Sequence, residues 1–438
     1  MKQSFPKVLI ISRGVWDDTK GTSSTLTNIF QDYDADKLAH IYMDTARPNT
    51  KCCKCFFQIS EFSLVRKLYK WNTKIGFEID TNSRNNDSVE ESIAAREDET
   101  MKYVRSHRSV WFSFAREVLW RFNGWKSKEL RQFIKNFNPD VVWMDGCPVP
   151  CVNRLYRYVL NIAKKPAVIF MQDDIYTYES CDPRLTSKFY KWLLRRQVRR
   201  VVEKCDDMFV ASPKMKKEYD EIFGFDSTFI AKSAPLEIIP STSTVKTHQP
   251  IRMVYMGQII YGRIYTLVEI AQALKVINRH GIKIQLFIYT NNEIPDEMKD
   301  KLLVKDGVFL QQPVPYQEVS RVIAEHDVVL FVESFDPEYC KIARLSFSTK
   351  IFDYLTSAKC VFAVGPADSA PIEYFMEEDA AIVADSKEKI SNKIKELENP
   401  KIVQQYANKA LLCARKNHDR ANMNSIIYGK IKQITKEL

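Results

Sequence analysis

The sequence predicts an α/β protein that contains two Rossmann-like β-α-β domains. Short apolar runs alternate with segments of helical period, which is typical of buried parallel strands joined by helices. These runs form two series, and between them the residues 233–250 are rich in Ser, Thr and Pro and have no apolar period. The length of 438 residues also favours two domains, because single cores rarely exceed about 250–300 residues.

The first domain is predicted over residues 1–235. Its strand-like runs are apolar throughout rather than alternating, as expected for strands that are buried on both faces. These runs lie at 7–12, 140–145, 166–172 and 207–212. A helical pattern from Leu185 to Lys204 separates the last two runs, which is the order of a β-α-β unit.

One segment of the first domain, about 52–128, breaks this alternation. It is basic, aromatic and poor in strand signals, and its centre at 80–100 is rich in polar residues. Polar composition of this kind is typical of loops. We therefore expect an insertion into the first domain, and such insertions on α/β scaffolds often carry specificity.

The stretch 101–135 combines positive charge with aromatic side chains. Its basic residues lie at 102, 105, 108, 116, 121, 126, 128, 131 and 135, and only Glu117 and Glu129 oppose them. The interleaved apolar residues are Trp111, Phe112, Phe114, Leu119, Trp120, Phe122 and Trp125. This pattern predicts a segment that lies on an anionic membrane surface. The alternative is that the aromatic side chains pack into the core of the first domain and that only the charges contact water.

The second domain is predicted over 251–400, after a linker at 236–250. Its strand-like runs lie at 251–257, 283–289, 306–312, 327–333, 360–365 and 380–385. The helical pattern after the first of these runs ends at Gly281, a residue type that is common just beyond helix C-termini. The last segment, 401–438, is predicted to be one helix that packs on either domain.

The composition is that of a globular protein with a positive charge. The net charge of +10 and the pI of about 8.9 favour anionic partners such as nucleotides, nucleic acid or an anionic membrane surface. The ten cysteines show neither a disulfide framework nor zinc-ligand spacing. The first apolar run is too short for a signal peptide, and no run approaches the about 20 apolar residues of a membrane span. We therefore expect a cytoplasmic protein, at the inner face of the membrane if 101–135 binds lipid.

The stretch RLSFSTKIFDYLTSAKCVFAVG, residues 344–365, places polar residues ahead of a strand-like run. A helix that begins near Ser348 would have a hydroxyl cap and would align Lys350, Asp353 and Ser357 along one stripe. On its own, this stripe is compatible with a solvent-exposed Lys–Asp pair of little consequence for stability.

Together with the strand-like run at 327–333, this motif resembles the nucleotide-binding signature of retaining nucleotide-sugar glycosyltransferases with the GT-B fold (glycosyl transferases group 1, family 4-like). The resemblance implies two Rossmann-like domains that face each other across a cleft. It also implies that Asp353 binds the ribose hydroxyls of the donor and that Lys350 binds its diphosphate. A carboxylate accepts two hydroxyl bonds at once, and a helix start adds N–H donors for phosphate, which agrees with these roles.

A second stretch, VYMGQIIYGRIYTLVEIAQAL, extends the resemblance. It is similar to the family's strand, glycine loop and helix, with Gly257 at the position of the family's glycine. Arg263 matches the second of two basic positions in that loop. Gln258 stands at the first one, so more of the expected positive charge depends on Arg263 and Lys350.

The first domain matches the family mainly in its order of elements, and the resemblance implies that it is the acceptor-side domain. The loop within 11–26 contains Gly14 and Gly21, and the resemblance implies that this loop lies beneath the donor phosphates. Asp173 and Asp174 follow a strand-like run, where family members place a polar residue of the active site. Helix capping explains the two aspartates nearly as well.

The sequence departs from the family at one expected donor contact. Many relatives carry two glutamates eight positions apart, and the second is the ribose ligand. Leu345 stands eight positions before Asp353 and cannot bind a sugar hydroxyl. Glu333, Glu338 and Arg344 are candidates to replace that contact.

The aspartate pairs at 17–18, 173–174 and 206–207 raise the question of a metal site. None of them has the D-x-D form that holds the cation of metal-dependent transferases. GT-B enzymes neutralise the leaving diphosphate with basic side chains and helix N-termini instead. The resemblance therefore implies that the protein needs neither a metal nor another cofactor.

These patterns predict an enzyme, a hexosyltransferase that moves a sugar from a nucleotide diphosphate-sugar to a hydroxyl of a glycan or lipid-linked acceptor. The resemblance implies a role in cell-surface polysaccharide or glycolipid assembly, with Arg263 and Lys350 stabilising charge on the leaving diphosphate. One alternative keeps the fold and changes the chemistry to that of a sugar-nucleotide epimerase or hydrolase. A second alternative is a nucleic-acid-binding protein, for which the sequence contains no recognisable reading motif.

Overall fold

The structure is a computed structural model that describes residues 5–18, 24–79, 110–122, 124–243 and 247–436. The chain forms two compact units. The first contains Met1–Val210, Glu218–Thr228 and Asn424–Leu438, and the second contains Ala211–Lys217 and Phe229–Met423.

The first unit is built around a mostly parallel sheet. Its described strands are β1 (Val8–Ile11), β2 (Leu38–Tyr42), β3 (Cys55–Ile59), β4 (Gly76–Ile79), β5 (Val141–Asp145), β6 (Ala167–Met171), β7 (Asp207–Val210) and β8 (Thr228–Phe229). The described helices before residue 250 are α1 (Ser24–Phe30), α2 (Glu61–Lys67), α3 (Val110–Phe122), α4 (Lys128–Phe137), α5 (Pro150–Ala163), α6 (Leu185–Val202) and α7 (Pro213–Phe223).

The strand order of this sheet is β4-β3-β2-β1-β5-β6-β7-β8. β1 pairs in parallel with β2 on one side and with β5 on the other, whereas β4 at the edge runs antiparallel to β3. All residues of β1, β2 and β6 are buried, as expected for strands covered on both faces. The chain leaves β1 in one direction and returns beside it as β5, so the carboxyl ends of these two strands form a topological switch point.

Four strands of this sheet, β2, β3, β4 and β8, have no counterpart among the predicted runs. β3 and β4 lie in the segment that was expected to be an insertion, and β8 has only two residues. A buried polar residue interrupts the apolar run of β2 and of β3. In β2 it is His40, whose Nε2 lies 2.8 Å from the hydroxyl of Ser12. In β3 it is Gln58, whose amide donates to the carbonyl of Asp44 at 2.7 Å. β4 is a short edge strand with exposed residues, so it gives little apolar signal.

The second unit contains a sheet with the order β11-β10-β9-β12-β13-β14, and all its described pairings are parallel. Its strands are β9 (Ile251–Met256), β10 (Ile284–Tyr289), β11 (Val308–Gln311), β12 (Val328–Val332), β13 (Cys360–Val364) and β14 (Ile382–Ala384). The described helices from residue 250 onward are α8 (Arg263–Ile277), α9 (Asp296–Leu302), α10 (Val319–Ala324), α11 (Pro337–Ala343), α12 (Lys350–Leu355), α13 (Ala370–Glu377), α14 (Lys387–Glu396), α15 (Pro400–Asn417) and α16 (Arg420–Lys436). β9 lies between β10 and β12, so its carboxyl end marks a second switch point.

The C-terminal segment differs from the single helix that the sequence predicted. It forms two helices, α15 and α16, with a break at His418 and Asp419. From Asn424 onward the chain belongs to the first unit, where the hydroxyl of Tyr428 donates to the carbonyl of Ile29 at 2.7 Å. The helical pattern was continuous across the break, so it contained no signal for a change of direction.

Three features are absent from the described residues. No helix among them is long and apolar enough to cross a membrane. None of the ten cysteines, all of which lie in the described ranges, is paired in a disulfide. The same ranges contain no group of three or more His, Cys, Asp or Glu side chains that could hold a metal ion, and metal independence of the chemistry stays a prediction.

Candidate functional site

The candidate nucleotide site lies in the second unit, where β9 and β12 end. Gly257 follows β9 with φ at 138°, a conformation that favours glycine. A Cβ atom at this position would overlap the ammonium group of Lys350. The glycine predicted from the loop motif and the lysine predicted from the helix motif are therefore neighbours, and the lysine can approach only because the side chain of Gly257 is missing.

Arg263 is the first residue of α8 and lies directly after Gly262, which adopts the left-handed conformation with φ at 70°. Its guanidinium group binds the carboxylate of Glu333 through Nη2 at 3.0 and 3.1 Å, and its Nε donates to the carbonyl of Val332 at 3.1 Å. The side chains of this pair are 17% and 6% exposed. Burial alone would lower the pKa of Arg263, but the charge and hydrogen bonds of Glu333, together with the nearby Tyr255 and Tyr261, raise it overall.

Lys350 is the first residue of α12, and its ammonium group is largely enclosed. It lies 5.4 Å from the ring centroid of Tyr255, which is within the range of a cation–π contact. Burial, together with the nearby positive charge of Arg263, lowers the pKa of Lys350 to about 8, and Glu333 and Asp353 oppose this shift only in part. The lysine is therefore in a position where an additional negative charge would stabilise its protonated form.

Asp353 lies one turn along α12 from Lys350 and is held by a residue that the sequence analysis missed. The ammonium group of Lys232 donates to Oδ1 of Asp353 at 2.6 Å. Burial raises the pKa of Asp353, while Lys232 and then Lys350 act to lower it. Among the described residues, no other side chain or backbone group hydrogen-bonds to this carboxylate, so acceptor positions on it are open to a ligand.

The segment that carries Lys232 is held in place by His418, which lies at the break between α15 and α16. Nδ1 of His418 lies 2.8 Å from the carbonyl of Lys232, and Nε2 of His418 lies 3.0 Å from the hydroxyl of Tyr374. Burial lowers the pKa of His418 to about 4. The ring is therefore neutral at physiological pH and can donate one hydrogen bond to the lysine carbonyl while accepting one from the tyrosine.

Helix α12, which carries Lys350 and Asp353, is shorter than the helix that the sequence predicted. It ends at Leu355, and Ser357 lies beyond it and donates to the carbonyl of Tyr354 at 2.7 Å. Ser357 is therefore not part of a helical stripe with Lys350 and Asp353. The N-cap residue is Thr349, and its side chain makes no capping hydrogen bond. The hydroxyl of Ser348, one residue earlier, accepts from the backbone N–H of Lys350 at 3.3 Å.

The three candidates for the missing donor contact occupy different positions. Glu333 lies in the site as the partner of Arg263. Glu338 is exposed in the first turn of α11, where its N–H donates to Asp336 at 2.9 Å. Arg344 is half-buried at the end of α11, and its carbonyl accepts from the N–H of Ala370 at 2.8 Å.

The second unit thus brings together three cations and two carboxylates near one switch point. The cations are Arg263, Lys350 and Lys232, and the carboxylates are Glu333 and Asp353. Such an excess of positive charge in a partly buried setting attracts a polyanion, and switch points are the usual ligand sites of parallel α/β sheets. The arrangement can bind a diphosphate through the cations and hydroxyl groups through Asp353.

The first unit contains a pocket of about 260 Å³ at its own switch point. Gly14 and Asp173, both singled out by the sequence analysis, line this pocket, together with Arg13 and Asp145, which that analysis missed. Gly21 lies outside the described residues.

Asp174 differs from its neighbour Asp173 in its surroundings. Its Oδ1 accepts from the backbone N–H of Tyr176 at 3.2 Å and of Thr177 at 2.9 Å, and from the hydroxyl of Tyr219 at 3.1 Å. Its Oδ2 accepts from the hydroxyl of Thr177. These contacts are those of a carboxylate that holds a loop together, which fits the capping alternative for this residue.

The chain resembles known proteins in its structure but not in its sequence. The sequence matches no protein-family model, and no curated protein matches it in sequence. Sucrose-phosphate synthase from Thermosynechococcus elongatus superimposes with a TM-score of 0.62 at 9% identity and covers 98% of this chain and 99% of its own. Anabaena HepE in complex with UDP-glucose gives 0.58 at 12% identity, covering 98% of this chain and 100% of its own. WaaG, a glycosyltransferase involved in lipopolysaccharide biosynthesis, gives 0.54 at 11% identity, covering 96% and 99%.

These structural likenesses extend over almost the whole of the described chain and of the solved chains. Together with the two parallel-sheet units, they show that the chain has the GT-B fold. The predicted fold class is confirmed, although the identities near 10% leave the activity to be argued from the chain's own residues.

Proposed function

We propose that the protein is a glycosyltransferase that moves a sugar from a nucleotide diphosphate-sugar to an acceptor hydroxyl in the assembly of a cell-surface polysaccharide or glycolipid. One observation carries the proposal: Lys350 lies against Gly257 and beside Arg263, with Asp353 one turn along the same helix. The fold supports it, because the solved structures with this fold include one in complex with UDP-glucose and one glycosyltransferase of lipopolysaccharide biosynthesis.

The reaction breaks the bond between the sugar C1 and the diphosphate oxygen and forms a bond between C1 and the acceptor oxygen. The bonding electrons of the broken bond remain on the diphosphate, so negative charge grows there as the bond breaks. Arg263 and Lys350 are placed to stabilise that charge, which is where electrostatic catalysis contributes most. The acceptor hydroxyl loses its proton, and the departing diphosphate, which has gained charge, is the base that takes it.

The remaining groups of the site position the donor and the catalytic cations. Asp353 accepts hydrogen bonds from the ribose hydroxyls. Glu333 fixes the guanidinium group of Arg263 by accepting three hydrogen bonds from its Nε and Nη2, so that the group need not reorganise as the charge develops. We propose retention of configuration at C1 and independence of metal ions, because the motif around Lys350 and Asp353 resembles enzymes with both properties.

A sugar-nucleotide epimerase or hydrolase would use the same donor site. It differs in its products, because a hydrolase releases free sugar and an epimerase leaves a changed sugar. Only a transferase forms a new glycosidic bond that depends on an added acceptor. Product analysis with and without a glycan acceptor therefore separates these activities from the proposed one.

A binding experiment tests the donor site directly. Thermal unfolding is measured with UDP, GDP and ADP and with UDP-glucose, and one nucleotide series is expected to stabilise the protein. Binding at 100 times Kd adds about 2.7 kcal/mol to the free energy of unfolding. Stabilisation by none of these nucleotides, with Lys350→Ala behaving as the unchanged protein, would show that the site is not a nucleotide site.

We also propose that the first unit contacts an anionic membrane surface, although through different residues from those that the sequence indicated. Trp120 and Trp125 of the stretch 101–135 are 1% and 4% exposed, and Arg116 donates to the hydroxyl of Tyr190 at 3.3 Å. The burial of the two tryptophans agrees with the packing alternative, and Arg116 contacts the protein rather than only water. Residues 101–109 and 123, with Arg105 and Arg108 among them, lie outside the described residues.

Helix α6 presents the exposed surface instead. Its Leu185, Phe189 and Trp192 are 84%, 55% and 46% exposed, which is unusual for large apolar side chains on one helix face. Lys188 and Arg196 are exposed on the same face, and Phe189 stacks on Phe114 of α3 with ring centroids 5.9 Å apart. We call these five residues of α6 the α6 surface. Apolar groups between cations match the headgroup region of an anionic leaflet, where a lipid-linked acceptor would lie.

A further inference from the structure

The loop between β9 and α8 contains a tight turn at residues 260–263. The backbone N–H of Arg263 donates to the carbonyl of Ile260 at 3.3 Å and closes this turn. Both central residues have a positive φ, which is 53° at Tyr261 and 70° at Gly262. Two consecutive positive φ angles within one closed turn are typical of a type I′ turn. The turn places Arg263 at the start of α8.

The two central positions of the turn differ in how well their residues fit. A Cβ atom at Gly262 would overlap the ring of Tyr339 and the hydroxyl of Ser334, so glycine is required there. The first central position usually holds Asn, Asp or Gly. In Tyr261 the Cβ atom crowds the following carbonyl oxygen, and a positive φ is unfavourable for such a bulky residue. Tyr261 therefore strains the turn.

Burial and hydrogen bonding within the protein do not explain why a tyrosine occupies this position. Tyr261 is 42% exposed, so the core does not require its ring. Within the described residues, no hydrogen bond reaches its hydroxyl group. Strained residues of this kind cluster at ligand sites, where the strain holds a side chain in a useful place. The turn therefore points to a role for Tyr261 in binding a ligand.

Tyr261 lies close to the cations of the candidate nucleotide site. Burial lowers the pKa of Arg263, and Tyr261 is among the nearby groups that raise it, after Glu333 and Tyr255. Arg263 in turn adds to the effect of burial in lowering the pKa of Lys350. A phenol hydroxyl is a neutral hydrogen-bond donor, so it can donate to the same anion that the two cations attract.

We propose that Tyr261 is a binding residue for the donor and that its hydroxyl donates a hydrogen bond to an oxygen of the diphosphate. The inference rests on the proposed function and deepens it, because it adds a neutral donor to the two cations of the site. The hydrogen bond strengthens as negative charge grows on the departing diphosphate. The hydroxyl keeps its proton throughout.

Tyr261→Phe tests the hydroxyl alone, because it keeps the ring and the turn. Isothermal titration is carried out with UDP or GDP and with inorganic pyrophosphate, which has no nucleoside. The variant should bind both kinds of ligand about 10- to 100-fold more weakly, as expected for the loss of a hydrogen bond to a charged group. The matched control is Tyr265→Phe, which removes the hydroxyl of a tyrosine that is 46% exposed in the first turn of α8. It should leave both affinities unchanged.

Tyr261→Gly separates binding from folding. Glycine adopts a positive φ without steric cost, so the turn and Arg263 should keep their places. Without ligand, the variant should unfold about 1–3 °C higher than the unchanged protein, because the strain of the turn is relieved. Its affinity for pyrophosphate should be as low as that of Tyr261→Phe. A residue that serves only the fold would give the opposite result, a lower unfolding temperature and an unchanged affinity.

The inference is overturned if Tyr261→Phe binds pyrophosphate as the unchanged protein does, or if pyrophosphate does not bind the unchanged protein. It is also overturned if Tyr261→Phe weakens only the nucleoside diphosphate, because the hydroxyl would then contact the nucleoside. Pyrophosphate binding that depends on Tyr261, without binding of any nucleotide, would support the inference and contradict the proposed donor. Failure of the proposed function and failure of this inference are therefore distinguishable.

Discussion

The ammonium group of Lys232 lies 2.6 Å from Oδ1 of Asp353, and this contact ties the segment between β8 and β9 to helix α12. Asp353 is the residue that the motif assigned to the ribose of the donor. A cation 121 positions away in the sequence therefore orients this carboxylate and stabilises its charged form. The contact gives Lys232 a positioning role in nucleotide binding.

Asp353→Asn should separate ribose binding from phosphate binding. The variant keeps the size of the side chain but removes its charge, so it should weaken binding of a nucleoside diphosphate by about 10- to 100-fold. Binding of inorganic pyrophosphate, which has no ribose, should change far less. Isothermal titration with UDP or GDP and with pyrophosphate measures both, and equal weakening would mean that Asp353 only supports Lys350.

Lys232→Met should make nucleotide binding more sensitive to acid. Lys232 lowers the pKa of Asp353, so its loss lets that pKa rise further above the usual value. The carboxylate form accepts the ribose hydroxyls, and binding is lost as the pH falls through the pKa of Asp353. The variant should therefore lose affinity for the nucleoside diphosphate at a higher pH than the unchanged protein.

Lys232→Arg is the matched control, because it keeps a cation beside Asp353 and should restore most of the original pH profile. Binding of pyrophosphate should show no such shift in either variant. A uniform loss of affinity at every pH, for both ligands, would indicate that Lys232 acts through the fold alone.

The candidate site could be predicted from the sequence where its residues lie in local motifs. Gly257, Arg263, Lys350 and Asp353 are each part of a strand, loop and helix that the sequence shows in order, and the structure places them together. Lys232 has no such context, since one lysine in a segment without apolar period gives no signal. Its role depends on a contact with α12 that only the folded chain provides.

Arg263→Ala and Lys350→Ala should each lower kcat/KM by about 10²- to 10³-fold. Each removes a cation from the place where charge develops in the transition state, and the loss of one such group costs about 2.7–4 kcal/mol. Steady-state kinetics measures kcat/KM with a sugar-nucleotide donor that has been identified because it raises the unfolding temperature of the protein. Lys299→Ala and Arg321→Ala remove exposed cations of the same unit and should leave the rate unchanged.

The Arg263 variant needs a separate control for stability. Removing the guanidinium group takes away the ion-pair partner of the buried Glu333 carboxylate. Breaking a buried ion pair lowers the free energy of unfolding by about 3–5 kcal/mol. The double variant Arg263→Ala with Glu333→Gln relieves that cost. The double variant should unfold at a higher temperature than Arg263→Ala, but its turnover should be as slow as that of Arg263→Ala. Recovery of turnover would contradict a catalytic role for Arg263.

Nucleotide binding should take up a proton in mildly alkaline solution. The pKa of Lys350 is lowered to about 8 in the free protein, and a bound diphosphate raises it by stabilising the charged form. Between about pH 8 and pH 10 the free lysine is largely neutral and the bound lysine is protonated. Affinity for the nucleoside diphosphate should therefore fall as the pH rises through this range.

Calorimetry in two buffers of different ionisation enthalpy, at about pH 8.5, measures the uptake as a fraction of one proton for each nucleotide. Lys350→Ala should show none, and Lys299→Ala should match the unchanged protein. Proton uptake of equal size in Lys350→Ala would assign the titration to another group.

The strands of the first sheet that could be predicted include β1 and β6, which are apolar along their whole length. β2 is equally buried, and β3 is buried apart from Cys55, but they contain His40 and Gln58, whose hydrogen bonds to Ser12 and Asp44 make burial possible. The partners of such buried polar groups lie elsewhere in the chain. A sequence pattern that scores apolar residues therefore misses these strands, and with them the edge of the first sheet.

Membrane binding should depend on the α6 surface. Vesicles that contain anionic lipid should bind the protein at low salt and release it as salt rises, because each engaged cation contributes about 1 kcal/mol near an anionic leaflet. Lys188→Glu with Arg196→Glu should weaken binding most at low salt, and Phe189→Ser with Trp192→Ser should weaken it at every salt concentration. Lys299→Glu with Lys301→Glu, an equal change of charge in the second unit, should leave binding unchanged. If the protein stays in the supernatant with anionic vesicles at low salt, the α6 surface is not a lipid contact and the acceptor is a soluble glycan.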